Sequence, residues 1–161
     1  MSNSLFLLCP TDCLESNINR TFNHQNYFCT SLGNSFAFET EIIGHIRGLV
    51  KKHHIREIYF VLSEDNPIFL DALGGQFFSD IRGLEEFYGE IMRQKEHSEI
   101  VWQKGFHQFS VLSYYLNKKI KELDSLLNNT VNIHGKIYNK YQDTFYDIYS
   151  DLICIEKHCL N

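Results

Sequence analysis

Arg56-Glu57-Ile58-Tyr59-Phe60-Val61-Leu62-Ser63-Glu64-Asp65-Asn66-Pro67 is the stretch whose reading decides the fold. Residues 58–62 are apolar or aromatic without a break. A strand with one face in water alternates, whereas a parallel strand buried on both faces reads as a continuous apolar run. Directly beyond it, Asn66 supplies a helix N-cap and Pro67 the preset backbone angle of a first helical position. That helix is expected to stop at Gly74-Gly75. A buried strand feeding straight into a helix is the local grammar of an α/β sheet.

Working outward, residues 38–53 carry Ile42, Ile43, Ile46, Leu49 and Val50 at helical spacing. Before them, residues 26–30 read as a strand, followed by the turn pair Gly33-Asn34. Residues 5–9 form a further short apolar strand that stops at Pro10. Strand, helix and strand over residues 26–63 make a βαβ unit, for which a right-handed connection is expected. Downstream, Ser79 is expected to cap a helix carrying Ile81, Leu84, Tyr88, Ile91 and Met92. A longer helix over residues 108–128 presents Leu112, Leu116, Ile120, Leu123 and Leu127. Val131 to Tyr138 and Thr144 to Ile155 are β-like runs joined by residues 139–143. The expected class is α/β: a mainly parallel central sheet flanked by helices, with a C-terminal β hairpin or edge strands.

Hydrophobic residues make up 43% of the 161 positions and aromatics 14%, so the chain can build a core and disorder is excluded. Two prolines and no low-complexity tract leave no linker, so one domain over residues 1–161 is expected. The formal net charge of -5 argues against a nucleic-acid partner, whose phosphates demand a basic stripe. The basic run Lys51-Lys52-His53-His54-Ile55-Arg56 is read instead as the solvated end of a helix, complementing its dipole. The start, Met1-Ser2-Asn3-Ser4, lacks the positive region of a signal peptide, and no run is long enough for a membrane span. Five cysteines, an odd number, read as reduced thiols. The expected location is the cytoplasm, with no membrane partner.

Four motifs in order carry a resemblance. They are Leu8-Cys9-Pro10-Thr11-Asp12-Cys13, Thr30-Ser31-Leu32-Gly33-Asn34, Leu62-Ser63-Glu64-Asp65-Asn66-Pro67 and Asn132-Ile133-His134-Gly135-Lys136-Ile137-Tyr138. Together they resemble the β-class carbonic anhydrases. In that family the corresponding strands end in Cys-x-Asp-x-Arg, Arg-Asn-x-Gly-Asn and Gly-His-x-x-Cys-Gly, with a late strand reading roughly Leu-His-Gly-x-x-Tyr. The resemblance implies a parallel sheet flanked by helices, commonly a tight homodimer, and a pocket beyond the carboxyl ends of the strands.

It also implies zinc held by two cysteines and a histidine, with metal-bound water ionised near pH 7 to attack carbon dioxide. Here only Cys9 matches a ligand. Ser63 stands in the histidine position and Asn66 in the second cysteine position; a neutral hydroxyl and an amide are poor substitutes on a borderline-soft ion. Thr11 and Cys13 take the places of the aspartate and arginine. Sliding the register by one brings Asp12 onto the aspartate but puts Pro10 on the cysteine. Thr30 stands where the family has arginine. No catalytic residue, no bound metal and no cofactor are therefore expected.

The expected function is a non-catalytic carbonic anhydrase-like protein with a remodelled pocket lined by Cys9, Thr11, Asp12, Thr30, Asn34, Ser63 and Asn66. Backbone amides after Asn66 would favour a small anion there; the plainer reading is that these polar residues cap and turn the chain. An interaction module using Phe87-Tyr88 and Tyr114-Tyr115 is another option. The enzymatic alternatives are a zinc lyase with displaced ligands, or a thiol enzyme using Cys9. Cys9, Cys13 and Cys29 are read mainly as small apolar side chains. Cys154, His158 and Cys159 fit no common structural zinc spacing. His134 is read as structural, and no phosphate-loop, dinucleotide or Gly-x-Ser-x-Gly pattern occurs.

Overall fold

The computed structural model describes residues 2–101 and 107–149, with side chains for 2–96 and 108–149. Five strands form one sheet: β1 (Asn3–Leu8), β2 (Gln25–Thr30), β3 (Ile55–Ser63), β4 (Asn132–Asn139) and β5 (Thr144–Asp147), in the order β2-β1-β3-β4-β5. The first four are parallel, and β5 returns antiparallel to β4 as a hairpin. Both β1 and β3 are interior strands with an apolar cluster on each face of the sheet, which accounts for the apolar runs at residues 5–8 and 58–62. The mainly parallel α/β sheet with a C-terminal hairpin is thus borne out.

Alternation along β1 divides the core between the two faces of the sheet. Leu5 and Leu7 join the larger cluster with Phe60, Leu62 and Ile46, while Phe6 and Leu8 join Val61, Leu14 and Ile18 on the other face. The larger cluster is covered by α2 (Thr40–His53), α3 (Pro67–Leu73), α4 (Glu85–Val101) and α5 (His107–Leu126). The smaller lies under α1 (Glu15–Thr21) and includes a stack of Phe6 on Tyr59, ring centroids 4.9 Å apart. Helix α2 ends in Lys51, Lys52 and His53 with His54 as a left-handed C-cap, as expected of a basic helix terminus.

Several boundaries differ from the sequence reading. The first strand covers Asn3–Leu8 rather than residues 5–9, leaving Cys9 beyond its end. Helix α1 was not foreseen: in seven residues it buries only Ile18, too few apolar positions to show a period. The helix expected from Ser79 begins instead at Glu85. Gly83, at φ +95°, breaks the segment before it, and Asp71 takes the Phe77 and Phe78 backbone N–H groups. Ile81 is consequently exposed, while Leu84, Tyr88 and Ile91 are buried as expected. The βαβ reading linked β2 to β3, but β1 lies between them. The last strand stops at Asp147 rather than reaching Ile155, and residues 150–155 lie outside the described residues.

Candidate functional site

The carboxyl ends of β1 and β3 meet where the sequence placed a pocket. Cys9, 1% exposed, follows β1 and opens a 3₁₀ turn over Pro10–Asp12. That turn brings Thr11 Oγ1 within 3.0 Å of Cys9 Sγ and swings Asp12 towards the end of β3. Ser63 ends β3, and three residues later Asn66 caps α3, its Oδ1 accepting the Phe69 N–H at 2.9 Å. Both Ser63 and Asn66 are buried.

Asp12 ties these pieces together. Its Oδ2 accepts the Ser63 backbone N–H at 2.9 Å, and its Oδ1 accepts from Asn66 Nδ2 at 2.8 Å. The same Asn66 amide donates to Thr11 Oγ1 at 3.3 Å. Burial pushes the Asp12 carboxyl above its ordinary value, and the negative charge of Asp65 acts in the same direction. The hydrogen bonds from Ser63 and Asn66 favour the charged form and offset part of that rise. Cys9, Thr11, Asp12, Ser63 and Asn66 therefore form one continuous polar cluster.

Asn34 and Thr30 stand apart from it. Asn34 is fully buried at φ +56°, and its Nδ2 donates to the carbonyls of Leu7 and Val61, both at 2.9 Å, which joins the ends of β1 and β3. Its own carbonyl accepts the Tyr115 hydroxyl at 3.2 Å. Thr30 is exposed at the end of edge strand β2 and lines a groove of about 600 Å³ with Phe28, Ile42, Glu41 and His45. One participant that the sequence reading treated only as a turn is Gly33, whose N–H donates to Cys9 Sγ at 3.1 Å. Its φ of +61°, and a would-be Cβ at 3.2 Å from Ile68 and 3.3 Å from Phe87, require glycine there. The signal was present in the Gly33-Asn34 pair, but nothing in the sequence pointed it at sulfur.

These donors do not suit the zinc that the fold suggests. Asn66 Oδ1, the only atom of that side chain able to bind a cation, is taken by the α3 N-cap. Its Nδ2 hydrogens, the positive end of the amide, face Thr11 and Asp12. Reversing the amide would set its NH₂ against the Phe69 N–H and its oxygen against Asp12 Oδ1, which would lose its donor. Cys9 is left as the single soft ligand. Among the described residues, no group of three or more His, Cys, Asp or Glu side chains is placed to hold a metal ion. Cys13 is exposed and Cys29 half-buried, the latter with its thiol pKa raised by burial. Cys154, His158 and Cys159 lie outside the described residues. His134, on β4, pairs with Glu57 at 2.6 Å and stacks on Tyr59.

No protein-family model matches the sequence, and no curated protein matches it. Solved structures do. A variant of the β-carbonic anhydrase CafD of Aspergillus fumigatus superposes with a TM-score of 0.71 at 12% identity, over 92% of this chain and 90% of that one. The β-carbonic anhydrase CafA of the same fungus gives a TM-score of 0.70 at 11% identity, over 99% and 82%. One of two tetrameric β-carbonic anhydrases from Sordaria macrospora gives 0.65 at 11% identity, over 91% and 80%. The chain has the β-carbonic anhydrase fold. At these identities the likeness is one of fold.

Proposed function

We propose that this chain is a non-catalytic carbonic anhydrase-like protein, in which a hydrogen-bonded cluster occupies the place of the metal centre. The observation that carries the reading is the orientation of the Asn66 amide: its oxygen caps α3 and its NH₂ is held by Thr11 and Asp12. A zinc-bound hydroxide needs several anionic or imidazole ligands to hold the ion, and Cys9 by itself does not supply them. An enzyme using the Cys9 thiol is disfavoured by access, since a nucleophile must be exposed and this residue is 1% exposed. A small anion is a weaker occupant than the sequence suggested. The Ser63 N–H is already taken by a carboxylate, and a second negative charge beside Asp12 would be repelled.

Pairing of two chains is part of the same proposal. Among the described residues strand β2 is an edge with one side unpaired, beside the groove lined by Phe28, Phe36, Ile42 and Ile46. Exposed edges of this kind are templates for a further strand. The tetrameric assembly of the Sordaria proteins supports self-association of this fold. No helix among the described residues is long and apolar enough to cross a membrane. A reducing compartment, the cytoplasm, fits the free Cys9, Cys13 and Cys29.

The reading is tested by metal analysis of the purified chain together with a carbon dioxide hydration assay. It expects neither stoichiometric zinc nor hydration above background. Hydration that a chelator abolishes would instead establish a zinc lyase with displaced ligands.

A further inference from the structure

Between α3 and α4 the chain exposes Phe77 (85%), Phe78 (44%) and Ile81 (37%), together with Leu70 (40%) on α3. Leu70 adjoins Asp71, whose carboxylate accepts the Phe77 and Phe78 N–H groups at 2.9 and 3.0 Å. The Ile81 N–H donates to the Phe78 carbonyl at 3.1 Å, so the four residues belong to one stretch of surface. Singly exposed apolar residues are ordinary on proteins; several together, two of them aromatic, mark a contact surface. Phe87, Tyr88 and Tyr115, which the sequence offered for contact, are buried instead.

The loop that carries the rings is fixed from within. Asp71 also takes the Tyr88 hydroxyl, so one carboxylate ties the loop to α3 and α4. The Phe77 ring lies against Gly75, where a methyl group would collide with it. A preorganised aromatic pair loses little freedom on binding, which favours association. Further bonds run from Gln76 N–H to the Asp71 carbonyl at 3.0 Å, from Ser79 N–H to Gln76 at 3.3 Å and from Leu84 N–H to Ile81 at 3.1 Å. Gly83 N–H donates to Glu85 Oε2 at 2.9 Å. With the N–H groups of residues 76–79, 81, 83 and 84 occupied, the loop has no backbone ladder for an extended strand. Recognition falls to side chains, which suits the face of a helix.

The charges beside the patch indicate what covers it. Residues 64–90 hold seven acids and one base, Arg82, so this segment alone outweighs the formal charge of -5 on the whole chain. Three of the acids are engaged elsewhere: Glu64 with Asn139, Asp65 with Lys140, and Glu90 with Arg93 and Lys118. Asp71, Asp80, Glu85 and Glu86 have no cationic partner among the described residues. Their placement brackets the rings. Asp71 binds the loop at Phe77 and Phe78, Glu85 binds it at Gly83, and Glu86 lies beside Gly83. The Asp71 carboxyl lies below its ordinary value: desolvation opposes ionisation, but the bonds from Tyr88, Phe78 and Phe77 outweigh it. Two copies meeting here would set acid against acid, whereas a cationic partner meets a complementary rim.

We infer that the Leu70–Phe77–Phe78–Ile81 surface receives a cationic amphipathic helix of a partner protein. The helix lays an apolar face on Phe77 and Phe78, and the Lys or Arg side chains flanking that face meet the acids at the two ends of the loop. The contact uses none of the residues that line the groove beside β2.

Fluorescence anisotropy on the full chain tests it. The probe is a fluorescein-labelled peptide of repeated Leu-Lys-Lys-Leu-Leu-Lys-Leu heptads, at about 21 residues long enough to be helical in water. Its control carries Glu in place of every Lys. The variants are Phe77→Ser/Phe78→Ser and Glu85→Gln/Glu86→Gln; these side chains are exposed, and glutamine keeps an oxygen for the Gly83 N–H. Both are expected to keep the wild-type circular dichroism spectrum, and Phe77→Ser alone serves should the pair fail to fold. The wild type is expected to bind the basic peptide and not the acidic control. Affinity is expected to fall at least about tenfold in the phenylalanine variant and about threefold in the glutamine variant. No binding by the wild type, an affinity unchanged in either variant, or equal binding of the acidic control overturns the inference. So does a wild-type assembly whose mass by light scattering falls in the phenylalanine variant, which would assign the patch to a second copy. Wild-type binding to phosphatidylcholine vesicles that the phenylalanine variant loses would overturn it in favour of a lipid surface.

Discussion

Asp12 and Asn66 are joined side chain to side chain at 2.8 Å, across the gap between the turn after β1 and the start of α3. The Asn66 amide is used at both ends, its oxygen by the Phe69 N–H and its nitrogen by Asp12 and Thr11. In a protein that bound zinc here, a metal would link the same two strand ends. In this chain a carboxylate and an amide make the link.

That link is expected to be energetically coupled. Asp12→Ala leaves the buried Ser63 N–H without its side-chain acceptor and the Asn66 NH₂ with Thr11 Oγ1 alone, and is expected to lower stability by about 1–3 kcal/mol. Asn66→Ala loses the same bond together with the α3 cap, itself worth about 1 kcal/mol. Urea unfolding of both single variants and the double variant is expected to give a coupling of roughly 0.5–3 kcal/mol, as for groups in one network. Strict additivity would show that the two side chains do not act together.

Stability should respond to pH through Asp12. Burial raises its carboxyl above the ordinary value near 3.8, so the folded state holds this proton more tightly than the unfolded chain does. The resulting contribution is fully present below the ordinary carboxylate range and declines as pH rises through the raised value. Relative to Asp12→Asn, which does not titrate, wild-type stability is therefore expected to fall over that interval. Urea midpoints at a series of pH values check this; a rise over the same interval would mean that hydrogen bonding to the charged form outweighs burial.

Gly33→Ala tests the backbone that presents an N–H to Cys9. The new methyl group would meet Ile68 and Phe87 at 3.2–3.3 Å and would hold an L-residue at φ +61°. A cost of roughly 1–3 kcal/mol is expected, measured as a shift in the denaturation midpoint. A stability equal to wild type would mean that the turn can rearrange freely.

The role of the missing ligands can be tested by restoring them. Ser63→His with Asn66→Cys returns an imidazole and a thiol beside Cys9, a donor set suited to zinc. The double variant is expected to bind one zinc ion per chain in a zinc titration, with slow unfolding on addition of chelator. It must also give up the Asn66 cap, so it is expected to be less stable than wild type when metal-free. Failure of the folded variant to bind zinc would mean that residues 9, 63 and 66 do not converge as described.

The parts of this fold that were legible in the sequence are those in which one residue type has one physical use. The run from Ile58 to Leu62 read as a strand covered on both faces, and Asn66-Pro67 announced a helix start that the Asn66–Phe69 bond realises. The ordered motifs were enough to indicate the fold. Less legible were features that depend on distant partners. Helix α1 is stabilised by Ile18 packing under the sheet rather than by any pattern of its own. The turn after α3 follows from Asp71 reaching Phe77 and Phe78, where Ser79 read as a plausible cap. Within the site, the sequence placed Cys9, Ser63 and Asn66 at strand ends, but the direction of an amide is not written in residue types. It was the helix cap that fixed it.

Metal content of the wild-type chain, purified without chelator and dialysed against excess zinc, tests the central claim most directly. Mass spectrometry under native conditions is expected to show the metal-free mass for the folded chain, with a thermal midpoint unmoved by chelator. One zinc ion retained per chain, with a midpoint that falls when a chelator removes it, would contradict the account.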